Sequence, residues 1–357
     1  MRIAQVAPLW ERVPPPGYGG IELVVGHLTD ELVRRGHTVT LFASGDSETL
    51  ADLESVVPHS IRTDPDADDP AVYDALQLHR VKDMADQFDL IHFHTWVPPF
   101  QLTEAIPTPT TYTLHGRFSS ASKALYSRYA NHNFISISDS QRRGGPAALN
   151  YVRTVYNGID PDQYEFQPLP QHPPYLAFVG RMSPSKGPHL AIEVAQRAGL
   201  PLKMAGKVDK VDEEFFANHI QPLIGGDQIQ YLGEVDQDQK QALFGGAVAT
   251  LFPITWEEPF GLVMIESMAA GTPVIGLRKG SVEEVIVPGK TGFICDSVDE
   301  MVDAIHRHEL INRQHCRDWV VSQFSVKRMV DCYEAAYQKI MAAVVSRNGH
   351  RPVAAIV

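Results

Sequence analysis

The chain has 357 residues, 44% hydrophobic and 21% charged, the balance of a soluble globular protein with about two domains. Its 31 basic and 43 acidic side chains leave a formal charge of −12. That argues against nucleic-acid binding by phosphate neutralisation but leaves room for one local anion pocket. Cys295, Cys316 and Cys332 are odd in number and lack CxxC spacing, so neither a disulfide framework nor a zinc site is expected. Polar residues interrupt Met1–Val6 too early for a secretory apolar region, and no apolar run is long enough to span a membrane. The expectation is a cytoplasmic protein with reduced thiols.

Short apolar runs alternate with helical patterns along the chain. Strands are expected at Arg2–Leu9, Thr38–Ser44, Leu90–His94, Thr110–His115 and Phe134–Ser138. A second set is expected at Tyr175–Val179, Leu202–Ala205, Ile229–Leu232, Ala249–Pro253 and Pro273–Leu277. Such continuous short runs suit parallel strands covered on both faces. Between the first two, Ile21, Val24, Val25, Leu28 and Leu32 fall on one face of a helix over Ile21–Arg35, with Gly36 at its C-terminal stop. A second amphipathic helix is expected over His189–Ala198. The turn signal Asn157-Gly158 and the prolines of Gln167–Pro174 place the domain boundary near 157–174. The pattern is α/β, two doubly wound parallel sheets. A helix over Val326–Val344 and a loose tail from Ser346 close the chain.

Three segments carry chemistry. The loop Pro14–Gly20 joins the first strand to the first helix, where doubly wound sheets bind ligands; its glycines let backbone N–H groups approach an anion. It can equally be a turn that only reverses the chain. Gly180-Arg181-Met182-Ser183-Pro184-Ser185-Lys186-Gly187 puts two cations at a strand end, able to neutralise a pyrophosphate or simply solvated at a helix start. Glu258 and Glu266 flank the start and interior of a helix beginning near Phe260–Leu262. Their spacing of about 2.2 turns, roughly 12 Å, would let them touch opposite ends of one extended ligand. Gly261 and Leu262 offer N–H groups to a phosphate. A carboxylate at Glu266, on an otherwise apolar helix, needs a hydrogen-bond partner.

These segments, with Tyr156–Asp160 and Gly280–Phe293, resemble the retaining GT-B glycosyltransferases of glycosyltransferase family 4 over nearly the whole chain; Glu-x7-Glu in the setting EPFGLVMIESMAAGTPVI is the most specific part. The resemblance implies two Rossmann-like domains facing across a cleft. Residues 1–157 would bind the acceptor, joined by a helix over about 326–345 that crosses back; 158–325 would bind the donor, with a loose tail over 346–357. It implies that Arg181 and Lys186 bind the diphosphate of a nucleotide sugar, approached by Gly19 and Gly20. Glu258 would bind the donor sugar, and the N–H groups of Phe260, Gly261 and Leu262 would serve sugar and phosphate. Glu266 would bind ribose, His115 would lie against the sugar, and Gly180, Lys207 and the loop Leu232–Val235 would line the donor. The implied reaction is retaining transfer to a hydroxyl, through a front-face mechanism with no metal and no cofactor. UDP is the expected base.

The sequence leaves open the sugar, the acceptor (sugar, glycolipid or small molecule) and the oligomeric state. The rival readings are an epimerase or hydrolase of nucleotide sugars and a non-catalytic sensor. A dehydrogenase is disfavoured because no GxGxxG follows a strand. His92 and His94 read as satisfied cleft-wall histidines, the acidic Asp64–Asp69 as a solvated loop, and Arg142-Arg143 as a helix face with some prospect of acceptor contact. Trp10, Trp96 and Tyr18 are open between sugar stacking and core packing. The basic residues Lys123, Arg128, Arg142 and Arg143 are too sparse to support membrane association.

Overall fold

The computed structural model describes residues 1–17, 19–95 and 97–348. Two parallel sheets organise them. The first contains β1 (Arg2–Val6), β2 (Thr38–Phe42), β3 (Asp52–Glu54), β4 (Leu90–Phe93), β5 (Thr110–Leu114), β6 (Asn133–Ser136) and β7 (Tyr151–Thr154), in the order β3-β2-β1-β4-β5-β6-β7. The second contains β8 (Leu176–Val179), β9 (Leu202–Ala205), β10 (Ile229–Tyr231), β11 (Ala249–Phe252), β12 (Val274–Leu277) and β13 (Gly292–Cys295), in the order β10-β9-β8-β11-β12-β13. In each, the strand order reverses beside the first strand, so crevices for ligands open at the C-terminal ends of β1 and β4 and of β8 and β11.

Every strand the sequence predicted is present, most of them shorter by a residue or more. The unpredicted ones, β3, β7 and β13, all lie at sheet edges. An edge strand is less enclosed than a central one and needs no continuous apolar run: β3 reads Asp-Leu-Glu and none of its residues is fully buried. The first helix, Gly20–Arg34, buries Val24, Leu28 and Leu32 against Ile3 and Leu90. The other amphipathic helix is Pro188–Ala198, and the short one after the second glycine-rich turn is Leu262–Ala269.

The C-terminal helix, Val326–Asn348, lies against the first sheet although the second sheet precedes it. Met329, Val330, Tyr333 and Tyr337 pack with Ile3, Leu28 and Ile135. It takes in the first three residues of the expected loose tail, Ser346 to Asn348; the tail from Gly349 lies outside the described residues, as do Tyr18 and Trp96. The return point is tight. Ile159 N–H donates to Phe324 O at 2.9 Å, and a Cβ on Gly158 would stand 2.7 Å from Ser325 O. Among the described residues no helix is long and apolar enough to cross a membrane.

Candidate active site

The ends of β8, β9 and β11 hold the cations and glutamates singled out in the sequence. Gly206 approaches Gly180 so closely that a Cβ would meet Gly180 O at 2.0 Å, and Met182 N–H donates to Lys207 O at 2.9 Å. This contact sets Arg181 and Lys207 side by side. Arg181 reaches Asp209 and Asp212, both at 3.2 Å, and Lys207 reaches Asp209 at 2.8 Å. Burial opposes ionisation of Asp209, but Lys207 and Arg181 outweigh it and hold the carboxyl below its ordinary range. Neither aspartate was singled out in the sequence, where they look like ordinary loop acids after Gly206-Lys207.

The next loop carries Lys186. Gly187 has φ +74°, and a Cβ there would strike Pro253 O at 2.1 Å. The turn can therefore lie on the loop after β11, where Thr255 N–H donates to Ser185 O at 2.9 Å. Lys186 Nζ forms an ion pair with Glu258 Oε2, which also accepts from Trp256 Nε1 at 2.8 Å. The Gly280–Phe293 segment explains itself here: a Cβ on Gly280 would lie 2.4 Å from Glu258 N, and Ser281 N–H donates to Glu258 O at 3.1 Å. That segment fixes the backbone of Glu258.

Phe260 is buried, with its ring against Tyr156 and Phe324. Gly261 has φ +81° and opens the helix Leu262–Ala269. The N–H groups of Phe260, Gly261 and Leu262 make no backbone hydrogen bond among the described residues, as expected of a helix start able to hold an anion.

Glu266 is buried rather than solvated. It accepts from Tyr164 Oη at 3.0 Å and Lys240 Nζ at 2.6 Å, so the protein itself supplies the partner that burial demands. Glu258 lines a cavity of about 780 Å3, whereas Tyr164 and Lys240 line another of about 660 Å3, together with Pro14–Gly17 of the first domain. Gly19 has φ +141° and no room for a Cβ beside Pro15 and Glu11; the Cβ position of Gly20 is 3.3 Å from Leu262 Cδ1. The glycine loop therefore abuts the second domain, and Gly17 meets Val235 O at 3.8 Å by the same measure. Leu232, in the same loop as Val235, is exposed.

His115 follows β5 and stands in a network the sequence did not disclose. His115 Nε2 is 2.9 Å from His94 Nδ1, and His94 Nε2 is 2.9 Å from Gln5 Oε1. Gln5 Nε2 donates to Tyr337 Oη at 3.1 Å, which is 2.7 Å from His92 Nδ1; His92 Nε2 is 2.7 Å from Thr113 Oγ1. The Gln5 amide sets the direction. His94 carries its proton on Nε2, so His115 donates from Nε2 and leaves Nδ1 able to accept. Burial drives all three imidazolium pKa values down, that of His115 to about 3. The satisfied-histidine reading of His92 and His94 thus holds, and both act as links between His115 and the C-terminal helix.

Arg143 stands 3.8 Å from Glu284 of the second domain, and Arg142 lies over the Tyr151 ring. Trp10 is 45% exposed, which removes its core-packing reading. Asp64–Asp69 forms a turn in which Asp64 accepts from Asp66 N–H at 2.9 Å.

Two doubly wound sheets, with the polar residues collected at facing strand ends, define the GT-B class of sugar-transferring enzymes. Family models agree: glycosyl transferases group 1 matches residues 160–320, and glycosyltransferase family 4 matches residues 18–163. An uncharacterised glycosyltransferase of Methanocaldococcus jannaschii is 27% identical over 80% of this chain and 83% of its own. AviGT4, a glycosyltransferase involved in avilamycin A biosynthesis, superposes with a TM-score of 0.72 at 25% identity, over 96% of this chain and 98% of its own. HepE of Anabaena, in complex with UDP-glucose, gives a TM-score of 0.72 at 20% identity, over 97% of this chain and all of its own. The chain belongs to the group 1 glycosyltransferases and is an enzyme of that class.

Proposed function

We propose that the enzyme transfers a sugar from a UDP-sugar to an acceptor hydroxyl with retention of anomeric configuration and without a metal ion. The observation that carries this is the convergence of Arg181, Lys186 and Lys207 beside the free N–H groups at Gly261, each cation resting on a carboxylate. A diphosphate entering here would take over these cations from Asp209, Asp212 and Glu258. Three fixed cations supply the charge that a divalent ion otherwise provides to a leaving diphosphate. The UDP-glucose bound by HepE supports the choice of base.

In the proposed step the bond from the anomeric carbon to the diphosphate oxygen lengthens, and negative charge grows where Arg181, Lys186 and the helix start stabilise it. The acceptor oxygen attacks from the same face, and its proton passes to an oxygen of the departing diphosphate. Glu258, freed from Lys186, holds a sugar hydroxyl. His115 is neutral, so it adds no positive charge beside an oxocarbenium-like carbon. No second carboxylate is then required across the anomeric carbon, unlike in glycosidases.

A thermal-shift panel of UDP-, GDP- and ADP-sugars with EDTA present tests the donor site. Ligand at about 100 times its dissociation constant stabilises by about 2.7 kcal/mol. A shift with UDP-sugars that Arg181→Ala abolishes is the expected result. No response to any nucleoside diphosphate would overturn the assignment.

A further inference from the structure

The cavity beside Glu258 carries more positive charge than its carboxylates can use. Its first-domain wall contributes Arg117, Lys123 and Arg143 and no acid; its second-domain wall contributes Glu257, Glu258 and Glu283 with Arg278 and Lys279. Each of those carboxylates is engaged. Glu258 holds Lys186 and Trp256, Glu257 accepts from Gly280 N–H at 2.7 Å, and Glu283 pairs with Arg278. Arg278 is shared with Asp296 at 2.7 Å. Among the described residues Arg117, Lys123 and Lys279 make no ion pair. Arg143 stands 3.8 Å from Glu284, which already accepts from the N–H groups of Asp139 and Ser140 at 2.7 and 2.6 Å. Unneutralised cations in a cleft repel one another and focus the field on an incoming anion. On a chain with a net charge of −12, overall composition does not account for them.

The arrangement is also built. Gln141 is buried at 6% exposure, donates to Leu114 O and to Gly116 O at 2.5 and 2.8 Å, and accepts from Ile137 N–H at 2.9 Å. It pins the loop bearing His115 and Arg117 to the helix bearing Arg143. The Arg117 guanidinium lies 5.7 Å from the Trp256 ring centroid, and Trp256 in turn donates to Glu258. An anion at Arg117 is thus one aromatic ring from the proposed sugar site.

Resting on the transfer reading above, we infer that the acceptor carries a phosphate group, received by Arg117, Lys123 and Arg143, which presents a neighbouring hydroxyl to the donor sugar. Arginine forks match phosphate oxygens, and lysine adds a point charge. The same chemistry is offered by a soluble sugar phosphate and by a phospholipid head group.

The first probe is inorganic phosphate, titrated calorimetrically into protein saturated with UDP, so that the donor site is filled. Binding is expected, and Arg117→Gln combined with Arg143→Gln should weaken it at least roughly tenfold, as two charge-assisted contacts are lost. Both side chains are exposed, and thermal melting verifies that the variant folds; Arg143→Lys should restore part of the affinity. Glycerol 3-phosphate as competitor, and co-sedimentation with phosphatidylcholine vesicles with and without phosphatidylinositol, then separate the sources. Competition without vesicle binding assigns a soluble phosphate, and vesicle binding lost in the double variant assigns a head group. Absence of phosphate binding to the UDP-loaded protein, or equal binding by the double variant, overturns the inference. Failure to bind UDP at all removes the donor reading beneath it, and the UDP titration reports this separately.

Discussion

At the strand ends of the first sheet the groups that hold His115 are largely buried, neutral and bonded to one another; at those of the second sheet the donor-site cations are paired with carboxylates between loops. Gln5, His94 and His115 need no counter-ion, and their hydrogen bonds set one tautomer before any substrate arrives. Arg181, Lys186 and Lys207 rest on carboxylates that an anionic ligand must displace. The difference teaches where binding is felt. A preset neutral wall acts through geometry, whereas a salt-bridged wall exchanges partners and responds to charge and salt.

The largest test of that contrast is Lys186→Ala. Transfer should fall at least about tenfold, as for loss of one stabiliser of leaving-group charge. An unchanged rate in a folded variant would refute its role. The neutral wall is tested by His94→Phe, which removes the acceptor that fixes the His115 proton. A roughly tenfold lower kcat with little change in donor KM is expected, and the nitrogen-15 spectrum of His115 should show a mixture of tautomers. A KM effect alone would mean that His94 only supports the fold.

The third change has the opposite sign. Asp209→Asn removes the carboxylate shared by Arg181 and Lys207, so UDP should bind a few-fold more tightly at low salt, the scale of one partly exposed ion pair. Weaker binding would show that Asp209 orients these cations rather than competing for them.

A further test reads stability rather than activity. His92, His94 and His115 stay neutral in the fold, while the unfolded chain takes up their protons below about pH 6.5. Each therefore removes up to about 1.4 kcal/mol per pH unit as pH falls from there toward the depressed native values. His27, also lowered by burial, has the same sign. Burial raises Glu22 to about 7, so its contribution is present at low pH and is lost between about 4.5 and 7, offsetting one of these protons. Urea midpoints should decrease from pH 7 to pH 5; a flat profile would mean that these rings protonate in place.

The central strands were legible because strands covered on both faces need unbroken apolar runs, and β3 and β7, which carry Asp52, Glu54 and Arg153, escaped because sheet edges do not. Glu266 shows the same division within the site. Its apolar helix revealed that a carboxylate there needs a partner, but Tyr164 and Lys240 come from other elements.

The sequence by itself determined two doubly wound sheets, the glycines at their turns and the cations and glutamates at their strand ends, because periodicity and turn chemistry act over a few neighbouring residues. Only the tertiary structure decided what those side chains touch. Gln5 meets Tyr337 across 332 positions and Lys186 meets Glu258 across 72. Strand order and the return of the last helix bring them together, and neither is written in local spacing.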